Sequence, residues 1–186
     1  MEKTLVLIKP DGVKRGLVGK IITRLEESGL KIVAMKLVVP NEELLQKHYK
    51  LEKEWYENAW KKTQETMAAK GQTLKETPLE LGKRIQSNLI MFMKGNPVVA
   101  MVIEGNEAIA NVRKIVGATS PSRADPSTIR GLYSTDSYDL ADSRGRAVKN
   151  LIHASDSAKV AEYEISIWFK PNEIFEYKRA DEDIIY

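Results

Sequence analysis

Apolar positions recur along this chain with two periods, one of strands and one of helices. Thr4-Leu5-Val6-Leu7-Ile8 is a continuous apolar run of the length of a buried strand, and Lys9-Pro10-Asp11-Gly12 ends it. Val18, Ile21, Ile22 and Leu25 then repeat at helical spacing up to Gly29. Leu30 to Val39 reads as a second strand with Val33, Met35, Leu37 and Val39 on one face, stopped by Pro40. Asn41, with Glu42 and Glu43 in the first turn, opens a helix whose stripe is Leu44, His48, Leu51 and Trp55. Trp55 to Ser87 is charged and helix-friendly, with breaks at Gly71 and Pro78, and predicts a helical hairpin. Pro97 to Ile103 is a third strand. Asn106-Glu107 caps a helix carrying Ile109, Val112 and Val116, closed by Gly117. Ala118 to Lys149 is long and irregular, of the kind that tends to carry function. A short strand, Leu151 to Ala154, leads into a last helix over Asp156–Phe169, and a charged tail follows Pro171.

Strand, helix, strand, helical hairpin, strand, helix, loop, strand, helix is the order of two βαβ-like halves joined by a helical insert. It predicts an α+β sandwich of ferredoxin-like type, a four-stranded antiparallel sheet with helices. A doubly wound parallel sheet competes, but no glycine fingerprint follows the first strand. The length of 186 residues fits one domain, spanning 1–186. With no cysteine, disulfides and thiolate metal sites are excluded. No apolar run is long enough for a membrane span, and the start of the chain shows no leader, so the expected location is cytoplasmic. A net charge of +3 gives no argument for nucleic acid, and no segment interleaves aromatic and basic residues as nucleic-acid modules do.

Two features carry chemistry. One of the two histidines, His153, sits at a strand end within Asn150-Leu151-Ile152-His153-Ala154-Ser155-Asp156-Ser157. Such a ring is either an ordinary turn histidine or a nucleophile toward phosphorus, since neutral imidazole offers a lone pair near pH 7. On the last helix Ala161, Glu164, Ile165 and Trp168 follow core spacing, and Glu164 is out of place there. A carboxylate in that stripe either snorkels to water or finds a partner. His153 is the candidate partner, because a carboxylate on one ring nitrogen fixes the tautomer and leaves the other nitrogen free. There is no phosphate loop, so a nucleotide must be held by side chains. Lys9, Arg113, Thr119, Arg130 and Asn150 are the candidates, the arginines because their planar fork donates two bonds to phosphate oxygens. Any one of them taken alone is equally an ordinary surface group.

Together these residues resemble one family. Ile8-Lys9-Pro10-Asp11-Gly12-Val13 with Arg15-Gly16-Leu17-Val18-Gly19, Pro97 to Val102, Thr128-Ile129-Arg130-Gly131, the octapeptide around His153, and Ala161 to Phe169 are similar to successive motifs of nucleoside diphosphate kinases. The resemblance runs from residue 3 to about 178, with insertions near 56–84 and 134–147. It implies the ferredoxin-like sandwich. It also implies ping-pong transfer of the γ-phosphoryl from a nucleoside triphosphate to a nucleoside diphosphate through a phosphohistidine, with Mg²⁺ on the phosphates and no metal ligand from the protein. By the same resemblance His153 is the nucleophile and Glu164 orients it. Lys9, Arg113, Thr119, Arg130 and Asn150 hold phosphate and sugar. Tyr49 packs beside the histidine, and the Ser155 hydroxyl lies near the transferred phosphoryl. A homo-oligomer, hexamer or tetramer, is implied, with residues 117–131 on its assembly loop.

The chain also departs from the family. Ala154 stands where glycine is common, which is tolerable at negative φ. Ile85 and Leu89 align with the positions that clamp the base, the first of them usually phenylalanine, so an aliphatic clamp replaces ring stacking unless Trp55 or Trp60 supplies a ring. With few base contacts expected, breadth across nucleotides follows. The second insertion lies between two site motifs and is expected to form a flap over the pocket or an interface element.

Overall fold

The first apolar run is a central strand, which is why it is apolar on both faces. β1 (Glu2–Ile8) has Leu5, Val6, Leu7 and Ile8 fully buried. In the computed structural model, which describes residues 1–185, it is followed by α1 (Pro10–Lys14), α2 (Val18–Glu26), β2 (Lys31–Val38), α3 (Glu42–His48), α4 (Lys53–Ala68), α5 (Pro78–Met93), β3 (Val98–Gly105) and α6 (Ala108–Val116). Then come α7 (Ile129–Tyr133), α8 (Tyr138–Ser143), β4 (Ile152–Ala154), α9 (Ala158–Trp168) and α10 (Glu182–Ile185). Residue 186, the end of the expected unit, lies outside the described residues. The sheet order is β2-β3-β1-β4, and every neighbouring pair is antiparallel. That is the expected ferredoxin-like sandwich and not the parallel alternative.

Alternation along the strands divides the core in two. Val6, Ile8, Met101, Ile103 and Ile152 pack under α2 and α6 through Ile21, Leu25 and Val112. Leu5, Leu7, Ala100 and Val102 pack on the opposite face against Leu45 of α3, Met93 of α5 and Trp168 of α9. β1 and β4 are in register with Leu7 opposite His153. Ile152 and Ala154 therefore join the first layer, and His153 between them is turned to the second, where α3 and α9 lie.

Several elements differ from the sequence pattern, each for an identifiable reason. Lys9-Pro10-Asp11-Gly12 ends the strand but also starts α1, because proline at the first helical position lacks only an N–H that has no partner there anyway. A bulge at Val33 puts Val33 and Ala34 on the same side. The face expected to join Val33 to Met35, Leu37 and Val39 is thereby split, and those three are 56%, 67% and 58% exposed. The stripe drawn through Leu44, His48, Leu51 and Trp55 also fails. α3 stops at His48, its fully buried leucine is Leu45, and Trp55 lies exposed on α4. The hairpin forms as α4 and α5, with Gly82 allowing close approach: a Cβ there would come within 2.6 Å of Tyr56 Cβ. Trp60 donates its indole N–H to the Glu76 carbonyl at 2.7 Å, bracing the connection. Asn106 and Glu107 give α6 no side-chain cap. Its Ile109 N–H is instead taken by Glu2 of β1 at 2.9 Å. The last helix begins at Ala158 under a Ser157 cap, two residues later than expected. The irregular stretch contains α7, α8 and a 3₁₀ turn at Pro121–Arg123.

The charged tail docks on the β2 edge. Phe175 N–H donates to the Val33 carbonyl at 2.9 Å, and Lys31 pairs with Glu104 at 2.8 Å and Glu182 at 2.9 Å.

Leu5 packs in the second layer from β1, the strand beside the one that carries His153. Leu5→Ala is expected to cost about 2–5 kcal/mol through the cavity it leaves, read as a lower urea midpoint with an unchanged m-value.

Candidate active site

The strand that turns His153 toward α9 brings it to the misplaced carboxylate of the sequence pattern. Glu164 Oε2 lies 2.9 Å from His153 Nε2, with Glu164 buried and the His153 side chain 23% exposed. Ser155 is fully buried, and its hydroxyl donates to the same Oε2 at 2.6 Å. The Ser155 side chain thus serves the carboxylate from within and does not line the open side of the imidazole. Burial alone would raise the Glu164 pKa. The charge and hydrogen bond of His153, then His48 and the Ser155 hydroxyl, outweigh burial and hold it below the usual carboxylate value. An ionised Glu164 accepts an Nε2 proton, the tautomer that leaves the lone pair on Nδ1, which has no hydrogen-bond partner among the described residues.

His48, noticed in the sequence only as a stripe residue, closes the back of this arrangement. Its ring meets His153 edge-on at 4.7 Å between centroids, and Nδ1 accepts the Trp168 indole N–H at 3.3 Å. Burial, then His153 and Lys9, lower its pKa to about 3 against the pull of Glu164. His48 is therefore neutral, and its 3.5 Å approach to Glu164 Oε1 is a contact with a neutral ring and not an ion pair. Tyr49 packs edge-on against His48 at 4.6 Å, so Tyr49, His48 and His153 form a row of rings. The Tyr49 hydroxyl is buried with no partner among the described residues, and burial followed by the nearby Glu164 pushes its pKa above the ordinary phenol value. The only signal for His48 was its rarity, as one of two histidines placed next to Tyr49.

The remaining candidates converge through Asn150. Its side-chain oxygen accepts from Lys9 Nζ at 2.8 Å, its side-chain nitrogen donates to the Thr119 carbonyl at 2.9 Å, and its own carbonyl accepts from Arg130 Nε at 3.3 Å. Arg130 also donates to the carbonyls of Gly117 at 2.8 Å and Ile152 at 2.7 Å. Gly117 must be glycine: its φ is +85°, and a Cβ would strike Thr128 Oγ1 at 2.3 Å. Leu151 is left-handed with φ +68°, inside a γ-turn closed by Ile152 N–H to the Asn150 carbonyl at 2.8 Å. Asp11 holds that strained turn by accepting the Leu151 N–H at 2.9 Å. Ala154 is not among the positive-φ residues, so its methyl costs no strain.

Lys9 and Arg130 are buried, Arg113 stands beside Arg130, and Asp11 is the near acid. Burial first, then Arg130, lowers the Lys9 pKa to about 8. Burial, with Arg113 adding to it, lowers that of Arg130 to about 10. Among the described residues Lys9 and Arg130 are hydrogen-bonded to carbonyls and an amide, not to carboxylates, so the cluster carries an excess of positive charge that Asp11 offsets only in part. Arg113 and Thr119 are exposed, and Ile85 and Leu89 are half-buried on α5. Trp60 spends its N–H on Glu76, and neither tryptophan of α4 is buried.

Comparison with known proteins decides the family. A sequence model described as nucleoside diphosphate kinase matches residues 2–76 and 78–174. The chain belongs to the nucleoside diphosphate kinase family. A nucleoside diphosphate kinase from Pyrobaculum aerophilum is 46% identical over 181 residues, covering 95% of this chain and 99% of that protein. A solved NDP kinase structure from the same organism superposes with a TM-score of 0.89 at 47% identity, over 94% of this chain and 99% of that one. A Borrelia burgdorferi nucleoside-diphosphate kinase, solved as a transition-state mimic with bound vanadate and ADP, superposes with a TM-score of 0.80 at 39% identity, covering 97% and 94%. A Halobacterium salinarum nucleoside diphosphate kinase in complex with CDP gives 0.73 at 34% identity, covering 100% and 98%.

Charge held in a buried place should show in the pH dependence of this family member's stability. With its folded pKa below its unfolded one, Lys9 binds fewer protons folded than unfolded between about pH 8 and 10.5, so its penalty is full below pH 8 and fades as pH rises through that window. Lys9→Met is expected to stabilise the free protein at pH 7 by on the order of 2 kcal/mol, less what the lost bond to Asn150 returns. Urea unfolding at pH 7 and pH 10.5 should show that advantage shrinking.

Proposed function

We propose that this chain transfers the γ-phosphoryl of a nucleoside triphosphate to a nucleoside diphosphate in two half-reactions through phospho-His153. The observation that carries the reading is one imidazole, bonded at Nε2 to a buried ionised carboxylate and open at Nδ1, in a chain that also gathers Lys9, Thr119 and Arg130 around Asn150, with Arg113 near Arg130. The Nδ1 lone pair attacks the γ-phosphorus in line, and the bond to the β–γ bridging oxygen breaks, with its electron pair leaving on the diphosphate. The Nε2 proton stays, shared with Glu164, whose charge stabilises the cationic ring as the P–N bond forms. In the second half-reaction an acceptor diphosphate attacks the phosphohistidine phosphorus from the same pocket and regenerates the neutral ring.

Lys9, Arg113 and Arg130 bring positive charge to the phosphoryl oxygens as these gain charge, and Thr119 and Asn150 fix phosphate and sugar. Ser155 keeps Glu164 turned toward the ring. Tyr49 is assigned to the nucleotide site through His48, against which its ring packs at 4.6 Å and which in turn meets His153. Ile85 and Leu89 form an aliphatic wall for the base, which favours breadth across nucleotides. Mg²⁺ enters with the phosphates as part of the substrate. Among the described residues the one cluster of possible metal ligands is His48, His153 and Glu164. It is nitrogen-rich and already hydrogen-bonded, whereas Mg²⁺ takes oxygens.

The apolar, exposed Met35, Leu37 and Val39 on edge strand β2 support a homo-oligomer, hexamer or tetramer. No helix of the described residues is long and apolar enough to cross a membrane, which is consistent with the cytoplasmic location we infer.

Wild-type protein incubated with γ-labelled ATP is expected to take up acid-labile, base-stable label. His153→Ala should take up none and lose at least about 10³-fold in turnover. Label of the same stability on the alanine variant would end this reading. The wild-type enzyme should accept purine and pyrimidine diphosphates with kcat/KM values within about tenfold of one another, a spread of about 1.4 kcal/mol.

A further inference from the structure

We propose that Tyr138, in the second insertion, is a further nucleotide-binding residue whose hydroxyl donates to the phosphate oxygens gathered by Thr119 and Arg130, and that α8 is strapped across the nucleotide cleft to present it. The proposal rests on the kinase reading above and assigns a part to a segment that reading leaves without one.

The base of the insertion is fixed. Asp136 is buried and accepts from Arg146 at 2.6 and 3.0 Å and from the Lys149 N–H at 2.7 Å, while its carbonyl takes the Ser122 N–H at 3.0 Å. Ser134 donates to the Lys149 carbonyl at 2.9 Å and closes the neck. From this clamp α8 starts at once under a Ser137 cap, and Ala141 is buried beneath it. Tyr138 is its first residue. The groups that act on its phenol are Arg130, Thr119 and Arg123, with Asp142 of the same helix opposing them, and the residue is 47% exposed. Thr119 and Arg130 are two of the residues read above as phosphate contacts, so a ligand reaching them also meets Tyr138.

The outer side of α8 is tied to the first insertion. Asp139 pairs with Lys70, which follows α4, and Asp142 pairs with Arg84 of α5 at 3.4 Å. Arg84 is itself held by Glu76 at 2.7 and 2.9 Å and is followed directly by Ile85 of the base wall. The two insertions, some 50 residues apart in sequence, thus meet and join the base wall to the phosphate wall. Exposed ion pairs of this kind are weak and screened by salt, which suits a strap that must yield for nucleotides to pass. An uncharged phenol adds a donor to the cluster without adding to its excess positive charge.

The test compares Tyr138→Phe and the double variant Asp139→Asn with Asp142→Asn against wild type, measuring ADP affinity by calorimetry, KM and kcat for several diphosphates, and phosphohistidine labelling. Loss of one hydrogen bond to a charged group predicts about tenfold weaker ADP binding and a similar rise in KM for Tyr138→Phe, equal for every base. Saturating kcat should stay within about twofold, and labelling should persist. The double variant should weaken ADP severalfold at low salt and little at 0.5 M salt. Unchanged ADP affinity in Tyr138→Phe, or a fall in kcat with affinity intact, overturns the proposal. Absence of phosphohistidine in the wild type would instead sink the kinase reading, so the two failures are told apart.

Discussion

The hydrogen bond between Glu164 and His153 is the constraint around which the fold is arranged. Isolating a carboxylate in the apolar layer under α9 costs several kcal/mol unless it is charged, paired and fully bonded. The sheet supplies the pairing through register: Leu7 opposite His153 places the ring on the α9 side and its neighbours Ile152 and Ala154 on the other. A one-residue slip of β4 would reverse all three and strand the carboxylate. Ser155 and His48 complete its surroundings, one by a hydrogen bond and the other by a neutral ring held from behind by Trp168. Keeping His48 neutral matters. A second buried positive charge there would compete for Glu164 and would oppose any charge developing on His153.

The side proposed to hold phosphate runs on the opposite principle. Where Glu164 is stabilised by partners, Lys9 and Arg130 are buried with hydrogen bonds to dipoles alone, and Asp11 offsets their charge only in part. Such a cluster opposes folding of the free protein and is relieved when an anion arrives. It is built on a strained γ-turn at Leu151, pinned by Asp11, so that β4 leaves Asn150 between Lys9, Thr119 and Arg130. Stability given up in this way is the usual sign of an arrangement kept for binding, in keeping with the role proposed for it.

How far the sequence discloses this depends on the range of the forces involved. Strands appear because β1 and β3 are buried on both faces and must be apolar throughout. Glu164 appears because helical spacing makes one polar residue in a core stripe conspicuous. The bulge at Val33 leaves no local trace, since it arises from pairing with β3. The end of α3 at His48 is hidden by a helix-compatible pattern that continues past it. Pro10 is legible as a strand stop and not as a helix start, because the two roles differ only in the conformation of the residues after it. The convergence on Asn150 joins four segments distant in sequence, and only a family resemblance makes its members stand out. Tyr138 lies where that resemblance is interrupted, so nothing in the sequence marks it.

The two insertions illustrate how one kind of chemistry can be bounded differently. Each is largely polar and α4 buries no residue; Leu81 and Ala141 are buried locally, but neither belongs to the two core layers on the sheet. Their ordering comes from Gly82 letting α4 approach α5, from the Asp136 clamp, and from ion pairs between the two segments. Because these supports are independent of the sheet, the outer wall of the cleft can move while His153 and Glu164 stay fixed. The two-step transfer proposed above, in which one diphosphate leaves before another enters, needs that separation: rigid chemistry on the sheet and a yielding wall outside it. Had the strap been buried and apolar, opening it would have cost far more than exposed pairs worth about 0–1 kcal/mol each, and exchange would have been slow.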